Sequence, residues 1–183
     1  VLGVEVSTDT ISSSLSSVRE KALEFLTRDL SKQKYWALFV DGTNFKIQRR
    51  GSTAREPSLV VLGIDERDCM SILAVEPSTK DDANAWKSVF SELRKRGLDM
   101  QAVRIGIMDG LPGLENRFRE EFPNAVTARC WVHALRNALA KTPARIRLVF
   151  KQLAQRAMYA SSENTARLAF QELKAAMGTD ATR

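Results

Sequence analysis

Cysteine and histidine are scarce in this chain of 183 residues, which holds two cysteines, Cys69 and Cys130, and one histidine, His133. Two cysteines cannot build a disulfide framework, so a reducing interior is the expected setting. A closed structural zinc site wants four nitrogen or sulfur ligands, and Cys130, His133 and Cys69 do not supply them. No apolar run approaches the ~20 residues that cross a bilayer. Residues 1–17 lack the basic start and long apolar stretch of a secretion signal. Internal repeats and low-complexity tracts are also missing. The first residue is Val1 rather than Met, as expected of a piece cut from a longer protein. What is present is 44% hydrophobic and 27% charged residues, a balance that fits a soluble globular domain with an appendage.

The net charge of +6 is unevenly placed. Residues 1–132 hold nineteen Lys/Arg and nineteen Asp/Glu, whereas residues 133–183 hold nine against three. A basic C-terminal segment beside a neutral domain points to a polyanionic partner, although a solvated helical face has the same composition.

Two aspartates sit in the same local context. Tyr35 to Val40 runs into Asp41-Gly42, and Val103 to Met108 runs into Asp109-Gly110. Each apolar run has strand length and stops on a carboxylate and a glycine, which places an acid at the rim of a sheet. Two such acids side by side would suit Mg²⁺ or Mn²⁺, because hard cations prefer carboxylate oxygens. Asp-Gly is also an ordinary turn dipeptide, so the wider order of elements has to decide.

That order reads as follows. Ile11, Leu15, Val18, Ala22, Leu26 and Leu30 form a helical stripe with Ser7 or Asp9 as cap. The Tyr35–Asp41 strand follows, then a basic, loop-like stretch from Phe45 to Pro57. Ser58–Ile64 and Ser71–Val75 read as a hairpin around Asp65-Glu66-Arg67-Asp68. A helix opens after Pro77 with Ser78 or Thr79 as cap and Asp81 and Asp82 in its first turn. Its apolar face is Ala85, Trp86, Val89, Phe90 and Leu93, and Gly97 stops it. The second Asp strand comes next, then a helix at 111–121, a short strand at 125–128, and helices at 130–141, 143–159 and 162–177. Three antiparallel strands followed by parallel crossover units is the ribonuclease H-like order, an α/β fold with a mixed sheet. In it the first and fourth strands are neighbours, and those two carry Asp41 and Asp109.

Several spaced motifs run through the chain. They are Asp41-Gly42-x-x-x-Lys46, Leu62-Gly63-Ile64, Ala85-Trp86, Leu93-x-x-Arg96-Gly97-Leu98, Asp109-Gly110-x-x-Gly113-Leu114, Phe122-Pro123 and Cys130-x-x-His133-x-x-Arg136-Asn137. As a set over residues 35–177 they resemble the Mutator-type transposases, including those of bacterial insertion sequences. The resemblance implies a DDE-type enzyme that cuts DNA at transposon ends and joins the freed strand to target DNA, using two Mg²⁺ or Mn²⁺ ions. It makes Asp41 and Asp109 catalytic and metal-holding acids, with Cys130, His133 and Asn137 supporting the site. Lys46, Arg49, Arg50, Arg129 and Arg136 are the expected DNA-backbone contacts. It also implies an N-terminal helical segment at 1–34, a partial catalytic core at 35–141 and part of a helical insertion at 142–183. In the family the third acid, a Glu, follows that insertion, and neither Glu163 nor Glu172 has its context, so this chain is expected to lack it. A homo-oligomer acting near the nucleoid in a bacterial cytoplasm, with no membrane association, is the setting the resemblance suggests. The alternative is a non-catalytic DNA-binding or assembly module with the same fold.

Overall fold

Strands β1 (Tyr35–Arg49), β2 (Ser52–Asp65), β3 (Met70–Pro77), β4 (Ile105–Met108) and β5 (Val126–Arg129) form one mixed sheet in the order β3-β2-β1-β4-β5. The computed structural model describes residues 7–49, 52–78 and 83–178. β1 pairs antiparallel with β2, β2 antiparallel with β3, and β1 parallel with β4. This is the strand order the sequence leads one to expect. Helices α1 (Thr8–Thr27), α2 (Ala83–Lys95), α3 (Pro112–Glu121), α4 (Trp131–Lys141), α5 (Arg147–Met158) and α6 (Glu163–Gly178) complete the chain. By contacts it divides into two units, residues 1–128 and 129–183. Among the described residues no helix is long and apolar enough to cross a membrane.

The core of the first unit is built by alternation meeting helical periodicity. Leu38 and Val40 of β1, Leu59 and Val61 of β2, Leu73 of β3 and Met108 of β4 are all buried. They cluster with Trp86, Val89, Phe90 and Leu93, which recur at three- and four-residue steps on α2. From α3 and its end come Leu114, Phe118 and Phe122. The Phe118 and Phe122 rings stack with centroids 4.3 Å apart, and Phe90 meets both edge-on. Each fully buried large apolar side chain contributes about 1.5–3 kcal/mol.

The Arg96-Gly97-Leu98 segment has a mechanical role. Arg96 Nε donates to the Arg28 carbonyl at 3.1 Å and its Nη1 to the Leu73 carbonyl at 2.7 Å. Its own carbonyl accepts from Leu30 N–H at 2.7 Å. Gly97 has φ +89°, and an added Cβ would lie 2.9 Å from Ser31 Cβ. The end of α2 is thereby clasped to the segment entering β1. Burial and the nearby Arg28 charge push the Arg96 guanidinium below its ordinary value.

Two expectations change here. Phe45–Pro57 is not a loop: β1 and β2 continue as a paired ribbon from Thr43↔Ser58 out to Arg49↔Ser52. Phe45 and Ile47 at alternate positions favour a strand, and the basic residues and Gly51 only mark its solvated surroundings and its turn. The α1 stripe does form on a helix capped by Ser7, whose Oγ accepts from Thr10 N–H. Its first four members stay exposed, with Leu15 and Val18 each 65% accessible, whereas Leu26 is half-buried and Leu30, beyond the end of α1, is buried in the core. α2 and α3 already close the core, so α1 meets the sheet near its C-terminal end, where Arg28 Nη2 donates to the Ile72 carbonyl. The expected caps and first-turn acids Thr79, Asp81 and Asp82 lie outside the described residues.

The β2–β3 turn carries a pH-linked contact. Asp65 Oδ1 accepts from the Arg67 and Cys69 N–H groups, each at 2.9 Å, around Asp68 at φ +59°. The Cys69 hydrogen bond is the largest cause holding the Asp65 carboxyl below its ordinary value of 3.8, with Arg67 assisting and burial opposing. A lowered folded value means stabilisation present above the ordinary value and lost as pH falls through the folded one. The wild type is therefore expected to exceed Asp65→Asn in urea midpoint at pH 7, with the gap closing below about pH 4. A gap that widens in acid would contradict this assignment.

In the second unit, Ala154 and Ala157 of α5 and Ala169 and Leu173 of α6 are buried. The expected helix at 143–159 starts at Arg147, after a turn over residues 144–146.

Candidate active site

β1 and β4 run side by side in the register Ala37↔Ile105, Leu38↔Gly106, Phe39↔Ile107. Asp41 and Asp109 each stand two residues beyond the last of these couples. Adjacent strands lie about 4.8 Å apart, so the two acids occupy neighbouring positions at one level of the sheet. Alternation places Asp41 on the side of Phe39, opposite Leu38 and Val40, and Asp109 on the side of Ile107. Both acids are half-buried. The core thus lies under one face, and the two carboxylates belong to the other.

The two local settings differ more than the sequence suggests. β4 ends at Met108, and the chain turns at Gly110 with φ +92° into α3. Asp109 Oδ1 accepts the Leu111 N–H at 3.2 Å, which orients its carboxylate. β1 does not end at Asp41-Gly42. Asp41 pairs with Val60 and Gly42 with Leu59, and the strand continues to Arg49. The β2 ladder satisfies the backbone there, so the glycine has no turn to make.

Two carboxylates offer the hard oxygen donors that Mg²⁺ or Mn²⁺ prefers. The donor type fits a divalent ion. The donor number falls short of a full set, since among the described residues no group of three or more His, Cys, Asp or Glu is placed to hold a metal.

The remaining expected residues fall in three places. Lys46 is exposed on β1, five positions beyond Asp41. Arg49 closes β1 in the backbone, its side chain is outside the described set, and Arg50 lies outside the described residues altogether. The others belong to the second unit. Arg129 is exposed at the end of β5, and Cys130 is the N-cap residue of α4, half-buried and free of any disulfide. His133 is half-buried, while Arg136 and Asn137 are exposed; their spacing of three and four puts them on one face of α4 with His133. Residues 129–183 carry ten Lys/Arg against three Asp/Glu. Within this unit Arg156 meets Glu172 at 2.7 Å and Arg167 meets Glu163 at 2.6 Å.

Sequence reasoning missed Asn44 and Gln48, which flank Lys46 on the ribbon, and grouped Arg55 with the basic stretch without placing it opposite Lys46. The available signal was the Phe45/Ile47 alternation. It also missed Gly106, where an added Cβ would come within 2.4 Å of the Phe118 ring. A glycine inside a strand is itself a sign of close approach.

Comparison with known proteins shows the family and the fold. The family described as "Transposase, Mutator family" matches residues 1–181. The chain is 30% identical over 141 residues to the transposase for insertion sequence element IS6120 of Mycolicibacterium smegmatis, covering 77% of this chain and 42% of that protein. It is 32% identical over 135 residues to the transposase for ISRM5 of Rhizobium meliloti (strain 1021), covering 72% and 33%. A probable insertion-sequence transposase of Corynebacterium diphtheriae is 28% identical over 174 residues, covering 95% of this chain and 50% of that protein. The chain thus spans half or less of the length of these relatives. Among solved structures, the Drosophila P element transposase strand transfer complex is similar in fold, with TM-score 0.50 and 10% identity, covering 92% of this chain and 57% of that one. The mixed sheet with its helices is a ribonuclease H-like fold.

Proposed function

We propose that this chain, which belongs to the Mutator family of transposases, supplies part of a DNA-cleaving and strand-transferring active site. The observation that carries the proposal is the placement of Asp41 on β1 and of Asp109 just past the end of the adjacent parallel β4, each two residues beyond Phe39↔Ile107. These two residues would hold Mg²⁺ or Mn²⁺. A divalent ion bound there supplies charge stabilisation at the attacking and leaving oxygens of a phosphodiester. The β1–β2 ladder fixes the Asp41 backbone, and the Leu111 N–H orients the Asp109 carboxylate before substrate arrives. Lys46, Arg49, Arg50, Arg129 and Arg136 contact DNA phosphates, and Cys130, His133 and Asn137 brace the entry to α4. The parent protein acts as an oligomer on transposon ends and target DNA in a bacterial cytoplasm, beside the nucleoid.

With two carboxylates and no third donor beside them among the described residues, the chain alone holds metal weakly and does not turn over. The same shortfall favours a second reading, in which this segment binds DNA or partner subunits without catalysis. Both are tested by incubating the purified chain with supercoiled plasmid and Mn²⁺. The expected result is salt-sensitive binding without nicking, and nicking by a longer protein that adds a third acid. Nicking by the chain itself that is lost in Asp41→Asn would overturn the claim of incompleteness. A longer protein that binds but never cuts would favour the assembly reading.

A further inference from the structure

The geometry points to the outer β1–β2 ribbon as an element that enters the major groove of duplex DNA and reads base edges. This inference rests on the DNA-processing reading above. β3 pairs with β2 only as far as Ser58↔Pro77, and β4 pairs with β1 only from Ala37 to Phe39. The Pro57 carbonyl still accepts from Ser78 N–H at 2.9 Å, and beyond it, among the described residues, 45–49 and 52–56 pair only with each other. Five residues per strand give an arm about 17 Å long.

The arm is built against its own stability. A two-stranded ribbon is marginal in water. Here Lys46 stands directly across from Arg55, and both are exposed. Like charges in directly opposed positions destabilise a strand pair. A polyanion reverses that sign.

The two sides of the ribbon also differ in chemistry. Alternation puts Asn44, Lys46 and Gln48 on one side, and pairing puts Arg55 with Lys46. Phe45 and its partner Glu56 take the other side. Asn44 and Gln48 carry the amide groups that pair with adenine N6 and N7, while Lys46 and Arg55 supply the charge that meets phosphates. A two-stranded ribbon, with strands about 4.8 Å apart, fits a major groove about 12 Å wide. Asn44 is three residues from Asp41 and Gln48 seven, about 10 and 23 Å of strand. By the same alternation the reading side continues that of Leu38 and Val40, opposite Asp41, so the bases and the phosphate at the acids meet different sides of the strand.

The test uses the whole chain and a pool of random-sequence 20-bp duplexes, from which bound members are selected and sequenced. The parent chain is expected to enrich a motif. Asn44→Ala/Gln48→Ala should flatten that motif while holding affinity for unselected duplex within about threefold. Lys46→Ala/Arg55→Ala should lower affinity for every duplex about tenfold and reduce the salt slope by about 2. Without DNA, that second variant should unfold at the same or a higher urea concentration than the parent, which separates lost contact from lost fold. Replacing purines of the enriched motif by 7-deazapurines, which lack the N7 acceptor, should weaken the parent and leave Asn44→Ala/Gln48→Ala unchanged. A parent that binds all duplexes alike, variants that keep its motif and salt slope, or indifference to 7-deazapurines would overturn the ribbon's role while leaving the DNA-processing reading standing. A parent chain that binds no duplex at low salt would overturn both.

Discussion

Asp41→Asn or Asp109→Asn, made in a longer protein that supplies the third acid, is expected to lower metal-dependent DNA cleavage about a thousandfold or more. A divalent ion stabilises the transferring phosphoryl group by several kcal/mol, and each 1.36 kcal/mol is a factor of about ten. Duplex affinity should change less than about threefold, because neither acid sits on the basic surfaces. A second consequence separates a metal site from a structural acid pair. Two carboxylates at the spacing of neighbouring strands, about 5 Å, repel by about 1 kcal/mol in a half-exposed, water-like setting. In metal-free buffer Asp109→Asn, whose amide oxygen can still accept the Leu111 N–H, should therefore be as stable as the parent chain or slightly more so. Adding Mn²⁺ should raise the parent's unfolding midpoint, by mass action, and leave the variants unmoved. Parent and variant midpoints that respond alike to Mn²⁺ would remove the two acids from the site.

How far the sequence alone leads depends on which physical rule wins at each place. The Val103–Met108 run and its Asp109-Gly110 end read correctly, because β4 is short, apolar and followed by a left-handed glycine. The same signature at Asp41-Gly42 misleads, since β2 offers a complete ladder partner and the strand runs on to Arg49. Trp86, Val89, Phe90 and Leu93 read correctly as one helical face, and all four are buried. The equally regular Ile11–Leu15–Val18 stripe is exposed, because periodicity shows which helices are amphipathic and not which of them the sheet has room for. The ribbon was illegible by composition: charge and Gly51 outweighed the alternation of Phe45 and Ile47. The neighbourhood of Asp41 and Asp109 was legible through topology, since a strand order that places the first and fourth strands together does so whatever their side chains.

Gly106→Ala is expected to destabilise the chain by roughly 1–3 kcal/mol and to lower cleavage in the longer protein, although Gly106 touches no reacting group. Elsewhere this change would help: removing a strand glycine's freedom in the unfolded chain is worth about 0.4–1 kcal/mol of stability. Here the new Cβ would stand 2.4 Å from Cε1 and Cζ of Phe118, a fully buried ring stacked on Phe122 and edge-on to Phe90. That ring has no free direction, so β4 must move away from α3, and the overpacking term exceeds the entropic gain. Gly106 is three residues before Asp109, on the strand that leads into it, and its register partner is Leu38. A shift of β4 therefore moves Asp109 relative to Asp41, and misplacing a catalytic group by about 1 Å can reduce rate about a hundredfold. Phe118→Leu alone leaves a gap in the aromatic cluster and should also destabilise. The pair Gly106→Ala/Phe118→Leu should be more stable than the sum of the single effects predicts, because each change relieves the strain or void left by the other. Urea midpoints of the four proteins read the coupling directly. Strict additivity would mean that the Phe118 ring is not what keeps position 106 a glycine, and that the spacing of the two acids is set by other contacts.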